Sequence, residues 1–301
     1  MHNIVNYSCM QIESLQVFKD LVEKQSFSEA AKVNGITQSA VSQKLKVMEK
    51  TYNTPIIDNS QKQFQLTPEG HILYESAKEI LHAYEAMLCK IQTAKKEIAG
   101  LIRISTTSSI GLHELPRYIK QFLKEHPTVR VNIEYRRAKH VYEDILEGIA
   151  DLGFVAFHSK TRHITAIPFL EEEMVLVCSP ESPLSTKSRL PFKELEQHPF
   201  IHFDSDVPSY GAIQDVFKKY NIAVETAMSF YDTENIKRAV EINAGIAILP
   251  KTNIARELEQ GLLCTIPIDW EDFMRPISII HHQNKLLTPA MKKFIDMFLT
   301  T

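Results

Sequence analysis

Between Thr67 and Gly100 the apolar residues Leu73, Ala77, Ile80, Tyr84, Met87, Ile91, Ala94 and Ile98 recur at alternating steps of four and three. That spacing is the seam of a coiled coil, in which one narrow stripe of a helix faces a partner. Thr67-Pro68 opens the segment with an N-cap and a proline at the first helical position, so the spacing predicts a single helix over residues 68–99. A lone helix cannot hide so narrow a stripe. It needs a second copy of the chain or another domain, and packing onto its own chain is the alternative. Dimerisation is the economical answer.

What precedes the seam is small and helical. Ile12, Leu15, Phe18, Leu21 and Val22 form one helical stripe. Ser26-Phe27-Ser28-Glu29 reads as a capping box that starts a second helix, and Gly35 ends it because glycine tolerates positive φ. Thr37 caps a third helix, whose Val41, Leu45 and Met48 face inward. Two short helices joined by a glycine turn and braced by a first make a helix-turn-helix. On the third helix Thr37, Gln38, Ser39, Ser42, Gln43 and Lys46 are the candidate DNA-contacting residues. Gln38 and Gln43 can pair bidentately with adenine in a major groove, and Lys46 suits a phosphate. Spacing alone serves an ordinary helical hairpin with a solvated polar face equally well. Residues 55–66 alternate weakly around Gln61-Lys62-Gln63, as a β-hairpin wing would, with Lys62 near its tip as a further DNA contact.

Beyond Gly100 strands and helices alternate. Strands are expected at LIRIST, VRVNIEY, DLGFVAF, MVLVCSP, PFIHF, VETAMSFY, AILP and RPISIIHH, and helices over residues 112–125, 141–147, 211–220, 234–243 and 289–299. This is the pattern of parallel α/β units. The chain leaves the first lobe near Pro168 and returns near Asp269, so two lobes crossed twice by one chain form a hinged cleft. The expected division is residues 10–67, 68–99 and 100–301, with lobe I over 100–167 and 269–301 and lobe II over 168–268.

With 44% hydrophobic and 24% charged residues in 301, the chain has enough apolar material for two or three cores. A net charge of -3 excludes a generally basic protein, so nucleic-acid contact must come from a local face. Cys9, Cys89, Cys178 and Cys264 lie far apart with no CxxC, which fits neither a zinc ribbon nor a secreted disulfide scaffold. Cys178 with Cys264 is one candidate redox-sensing pair, though nothing in the sequence places the two together. No apolar run approaches ~20 residues and no leader opens the chain, so a cytoplasmic protein without a membrane span is expected. Residues 1–9 read as an irregular extension, with Met10 a candidate start. The spacings of His158, His163, His281 and His282 match no usual metal set, and neither a metal nor a cofactor is expected.

Taken together, AAKVNGITQSAVSQKLKVMEK, the wing ending in LTPEG, the seamed helix, LIRIST and GIAILP at residues 245–250 resemble a LysR-type transcriptional regulator over nearly the whole chain. The resemblance implies an N-terminal winged helix-turn-helix, a linker helix that dimerises, and an effector domain like a periplasmic binding protein. It implies double-stranded promoter DNA and a small-molecule effector as partners, a homodimer or homotetramer, and RNA polymerase as a further candidate. Asn59 stands where the family commonly has an arginine, and no arginine occurs before Arg103. Between Met10 and Thr67 seven lysines (Lys19, Lys24, Lys32, Lys44, Lys46, Lys50, Lys62) face six acids (Glu13, Asp20, Glu23, Glu29, Glu49, Asp58), a balance of +1.

An α/β cleft binds ligands at loops after the strands' C-terminal ends, beside helix N-termini. Thr107, Ser108 and Ser109 follow the first strand and suit a carboxylate or phosphate, with plain N-capping as the alternative. In Arg136 to His140 the candidates are Arg137 and Lys139, and alternation along the strand predicts that only one of Arg136 and Arg137 faces the cleft. Phe203, Asp204 and Thr233 are the matching positions of the second lobe. A small anionic metabolite is the expected effector, and an exposed salt-bridged surface is the alternative for the cationic loop. An α/β enzyme with an N-terminal interaction module is the rival function. It lacks support from any GxSxG, GxxxxGK[ST], HExxH or GxGxxG.

Overall fold

The computed structural model describes residues 11–58, 64–95, 98–268 and 273–299. It divides into two compact units, residues 1–91 and 92–301.

The first unit begins with α1 (Ile12–Lys24), α2 (Phe27–Val33) and α3 (Gln38–Tyr52). Each start and stop has a local cause. Ser26 accepts a hydrogen bond from the Glu29 N–H and Thr37 from the Ala40 N–H. Gly35 sits at φ +64°, and Asn53 ends α3 at φ 52°. Leu15, Phe18, Leu21, Ala30, Ala31, Val41, Leu45 and Met48 close one core. The small Ala30 and Ala31 admit the close approach of α2 and α3.

The long helix is α4 (Pro68–Lys95), which lies within the expected 68–99. Its seam divides. Ala77 and the neighbouring Leu81 are buried in the unit's own core, with Leu73 packed against it. Ile80, Tyr84, Met87 and Ile91 remain 46%, 38%, 46% and 45% exposed, so this half of the stripe is not covered by the described residues of its own unit. Ile98 lies beyond the helix and packs on the core of the first lobe, so it is not a seam residue.

Ile57 bridges Leu66 in antiparallel sense and the Asp58 N–H donates to the Gln65 carbonyl. These are the roots of the expected wing. Lys62 lies outside the described residues, as does Asn59. Thr67 clasps this root, donating its hydroxyl to Pro55 O at 2.7 Å and accepting from the Gly70 N–H at 3.0 Å.

The second unit holds β1 (Gly100–Thr106), α5 (Ser108–His113), α6 (Leu115–Glu125), β2 (Val129–Tyr135), α7 (Ala138–Leu146) and β3 (Leu152–Ala156). Next come β4 (Ile164–Cys178), β5 (Phe200–Phe203), α8 (Pro208–Lys219), β6 (Thr226–Phe230), α9 (Thr233–Glu241) and β7 (Ala247–Pro250). The chain closes with α10 (Ala255–Glu259), β8 (Cys264–Ile266), β9 (Met274–His282) and α11 (Pro289–Leu299). The helix expected over 112–125 is two, broken at Glu114. Pro116, near the start of α6, has no N–H to donate to the preceding turn, and a continuous helix would need one.

β1, β2 and β3 are parallel, and β9 joins β3 antiparallel. The strand expected at MVLVCSP is the last third of a much longer one. β4 pairs with β9 from Ile164 to Glu173, then changes partners and pairs with β7 and β8 from Met174 on. The change of partners therefore falls beyond Pro168. First-lobe aromatics pack edge to face around Phe294, with Phe122 at 5.0 Å and Phe298 at 5.1 Å. A separate core holds Leu176, Phe200, Phe217, Val240 and Ile248 in the second lobe.

Gly70 tests the clasp between wing root and helix. A Cβ there would stand 2.2 Å from the Ile56 carbonyl oxygen, which is backbone and cannot swing away. Gly70→Ala should cost about 1–3 kcal/mol, seen as a lower urea midpoint. An unchanged midpoint would mean that the helix start does not press on Ile56.

Candidate functional site

Two regions collect the candidate residues. On α3, Gln38, Ser39, Gln43 and Lys46 are exposed and Ser42 is half-buried. The buried Val41, Leu45 and Met48 fix the opposite face, so these polar side chains share one outward surface. Thr37 is exposed and hydrogen-bonds to Ser39 at 2.8 Å while capping the helix. The N-terminus of α3 is thus polar and accessible.

The second region is a cavity between the lobes. Its walls include Thr107, Ser108 and Ser109 from the first lobe and Phe203, Tyr231 and Thr233 from the second. Arg136 and Arg137 both line it, contrary to the alternation argument, because β2 ends at Tyr135 and the alternation ends with it. They behave differently. Arg136 turns back to Asp144, with its Nε 3.4 Å from the carboxylate. Arg137 reaches across the cleft to Asp206 at 2.7 Å and Asp204 at 3.6 Å, and lies 4.7 Å over the Tyr231 ring. Asp204 is thus the more distant of the two carboxylate partners of Arg137, and it is not among the residues that line the cavity. Lys139 is not in the cavity. Its side chain is 82% exposed and pairs with Glu143 one turn along α7.

The innermost wall is Arg275, which the sequence reading did not single out. It is 2% exposed. It sits opposite Glu172 in the β4/β9 register, its Nη1 lies 3.3 Å from the Glu172 carboxylate and from Asn253 Oδ1, and its Nη2 donates to Ser109 Oγ at 2.8 Å. Asn253 also donates to the Ser109 carbonyl at 2.7 Å. Burial pushes the Arg275 pKa down, while Glu172 and Glu114 oppose the shift. Burial pushes the Glu172 carboxyl above its usual range, Arg275 pulls it back, and Glu114 adds to the rise. A third link crosses the lobes at His113 Nε2 and Glu234 Oε1, 2.9 Å apart. The signal for Arg275 was present in RPISIIHH, where a lone arginine opens an apolar strand.

Three buried polar atoms of described cavity-lining residues have no hydrogen-bond partner in the protein, Arg275 Nε, Thr233 Oγ1 and Arg136 Nε, the last with only the longer ion pair to Asp144. Such orphans cost about 1–3 kcal/mol each unless a ligand or water meets them. The N-termini of α7, α8 and α9 open onto the same walls at Ala138, Pro208 and Thr233, adding partial positive charge. The arrangement suits an anion with several acceptor oxygens.

The LysR substrate binding domain matches residues 95–301, and the bacterial regulatory helix-turn-helix protein of the lysR family matches residues 12–71. The chain belongs to the LysR family. This regulator is similar to the transcriptional regulator YeiE of Escherichia coli (strain K12), 26% identical over 285 residues, covering 95% of this chain and 96% of that protein. It is similar to CysL of Bacillus subtilis (strain 168), 24% identical and covering 96% of each. A full-length OxyR variant of Pseudomonas aeruginosa has the same fold, with a TM-score of 0.72 at 17% identity, covering 97% of this chain and 94% of that one. So does CbnR in complex with its target DNA, with a TM-score of 0.66 at 19% identity, covering 96% and 99%. This LysR-type protein is thus a transcriptional regulator with a helix-turn-helix and an effector domain, and its relatives are regulators rather than enzymes. Among the described residues no helix is long and apolar enough to cross a membrane.

One group near the cavity gives a pH test. His202 on β5 is buried among Phe200, Tyr210 and Phe217, neither ring nitrogen has a protein partner, and burial pushes its pKa down to about 4 from 6.5. Between those values the unfolded chain binds a proton that the folded one does not, so stability falls as pH drops through this window. The slope from this group is at most about 1.4 kcal/mol per pH unit. Urea midpoints measured at pH 7 and pH 5 should fall less for His202→Leu than for wild type. Equal losses would mean that His202 accepts its proton in the folded state.

Proposed function

We propose that this LysR regulator reads its operator with the N-terminal end of α3 and that a small anionic metabolite in the interlobe cavity controls promoter binding. Thr37, Gln38, Ser39, Ser42, Gln43 and Lys46 are the reading residues. Lys62, outside the described residues, would add a phosphate contact from the wing. CbnR, a LysR family regulator of the same fold, binds its target DNA. The exposed half of the α4 stripe favours a homodimer, which would present two reading heads to a palindromic site.

The observation that carries the effector reading is the buried guanidinium of Arg275, with Nε unpartnered, on a cavity that also holds the unpartnered Thr233 hydroxyl. A buried cationic donor favours an acceptor-rich, negatively charged group. Thr107, Ser108 and Ser109 supply further hydroxyls and N–H groups, and Phe203 an apolar wall. Arg137 plays a second part. An anion entering the cavity competes with Asp206 and Asp204 for its guanidinium, so binding changes one of the contacts that hold the lobes together. The ligand can shift the lobes only by its differential affinity for the two arrangements.

Fluorescence anisotropy on DNA upstream of the protein's own gene, across a salt series, tests the reading head. Gln43→Ala should weaken operator binding by about 1–3 kcal/mol while leaving non-specific binding unchanged. Lys46→Ala should weaken both and reduce the salt slope by about 1. Binding indifferent to both variants would overturn the assignment of α3 as the reader. For the cavity, a thermal-shift screen should find anionic metabolites that raise the midpoint of wild type and act less on Thr233→Val. Stabilisation by uncharged compounds alone would refute the anion reading.

A further inference from the structure

The two cysteines of the second lobe meet in the fold. Cys178 ends β4, Cys264 opens β8, and the antiparallel register sets them directly opposite each other. Residues so opposed have Cα atoms about 4.5–5.5 Å apart, within the span of about 4.4–6.8 Å that a disulfide bridges. Their side chains share a face. Leu176 and Ile266 are the next register pair on that face, and both are buried in the second-lobe core. Thr265, which alternates between them on β8, is exposed.

The two thiols differ in access. Cys178 is fully buried, while Cys264 is half-buried and packs against the same core. Burial pushes the Cys178 thiol up to about 11, and the neighbouring Cys264 adds to the rise. The fold thus places a thiol with solvent access against one without it, at the far end of the strand that enters the second lobe.

We infer that Cys178 and Cys264 form a peroxide-responsive dithiol that closes into a cross-strand disulfide. The Cys264 thiolate attacks hydrogen peroxide; its S–O bond forms as the O–O bond breaks, giving Cys264 sulfenic acid and, after proton transfer, one water. The Cys178 sulfur then attacks the Cys264 sulfur. The S–S bond forms, the S–O bond breaks, and the hydroxyl leaves with the Cys178 proton as a second water. Two thiols are oxidised and one peroxide is reduced to two waters. Burial shields Cys178 from direct attack, which makes Cys264 the first to react. The bridge would staple β4, which carries the chain into the second lobe, to β8, the last strand before the return through β9.

The test uses the reduced full-length protein, freed of reductant, treated with hydrogen peroxide, alkylated and digested without reduction. Mass spectrometry should find one cross-linked peptide pair joining Cys178 to Cys264, two hydrogens lighter than the sum of its parts. It should disappear on treatment with dithiothreitol and be absent from Cys264→Ser, a near-isosteric substitution at the half-buried position. The inference is overturned if both thiols stay alkylatable after denaturation. It is equally overturned if Cys264 proceeds to sulfinic acid without a cross-link, or if the only disulfides involve Cys9 or Cys89.

Discussion

Glu172 and Arg275 face each other across the two strands that carry the chain between lobes, and the rest of the effector domain is arranged around that buried pair. Two charges buried in a hinge are costly unless each finds partners, and removing one strands the other. Here the partners come from both sides. Ser109 and its α5 belong to the first lobe, Asn253 follows β7 in the second, and Thr252 donates to Glu172. The pair therefore ties hinge, first-lobe loop and second-lobe loop into one polar network at the innermost wall of the cavity. An apolar pair at the same place would hold the strands together but offer nothing to a ligand.

The outer contacts between the lobes are of a different kind. Arg137 with Asp206 is a partly exposed ion pair, individually worth little in water and weakened by salt, and His113 with Glu234 is a partly exposed hydrogen bond. Contacts of that strength can break and reform without unfolding either core. Rigid cores on both sides and weak polar contacts at the mouth give a cleft that a ligand can bias.

Much of this was legible in the sequence where the cause is local. Ser26, Gly35, Thr37 and Thr67-Pro68 set their helix boundaries through their own nearest neighbours, and the structure places those boundaries where the residues indicate. What the sequence obscured depends on residues far along the chain. The seam of α4 reads as one continuous stripe, yet Ala77 is consumed by a core that α1 and α3 build. Lys139 looks like part of a cationic clamp until α7 carries it outward beside Glu143. Arg275 and Asn253 meet Ser109 only because β9 and the segment after β7 return to it, and the opposition of Cys178 to Cys264 follows from a strand register that no spacing encodes. Arg137 lines the cleft, and its acidic partners Asp204 and Asp206 were not legible beside it because they come from the other lobe.

The central claim is that the buried network at the crossing strands forms the wall of an anion site, and it can be tested most directly by locating an anion there. Crystals of the full-length protein soaked in selenate, with the selenium found by anomalous scattering, would do so. The account predicts a peak in the interlobe cavity, with oxygens within hydrogen-bond distance of Arg275 Nε and Thr233 Oγ1. Peaks confined to the outer surface, with the cavity free of selenium, would contradict it.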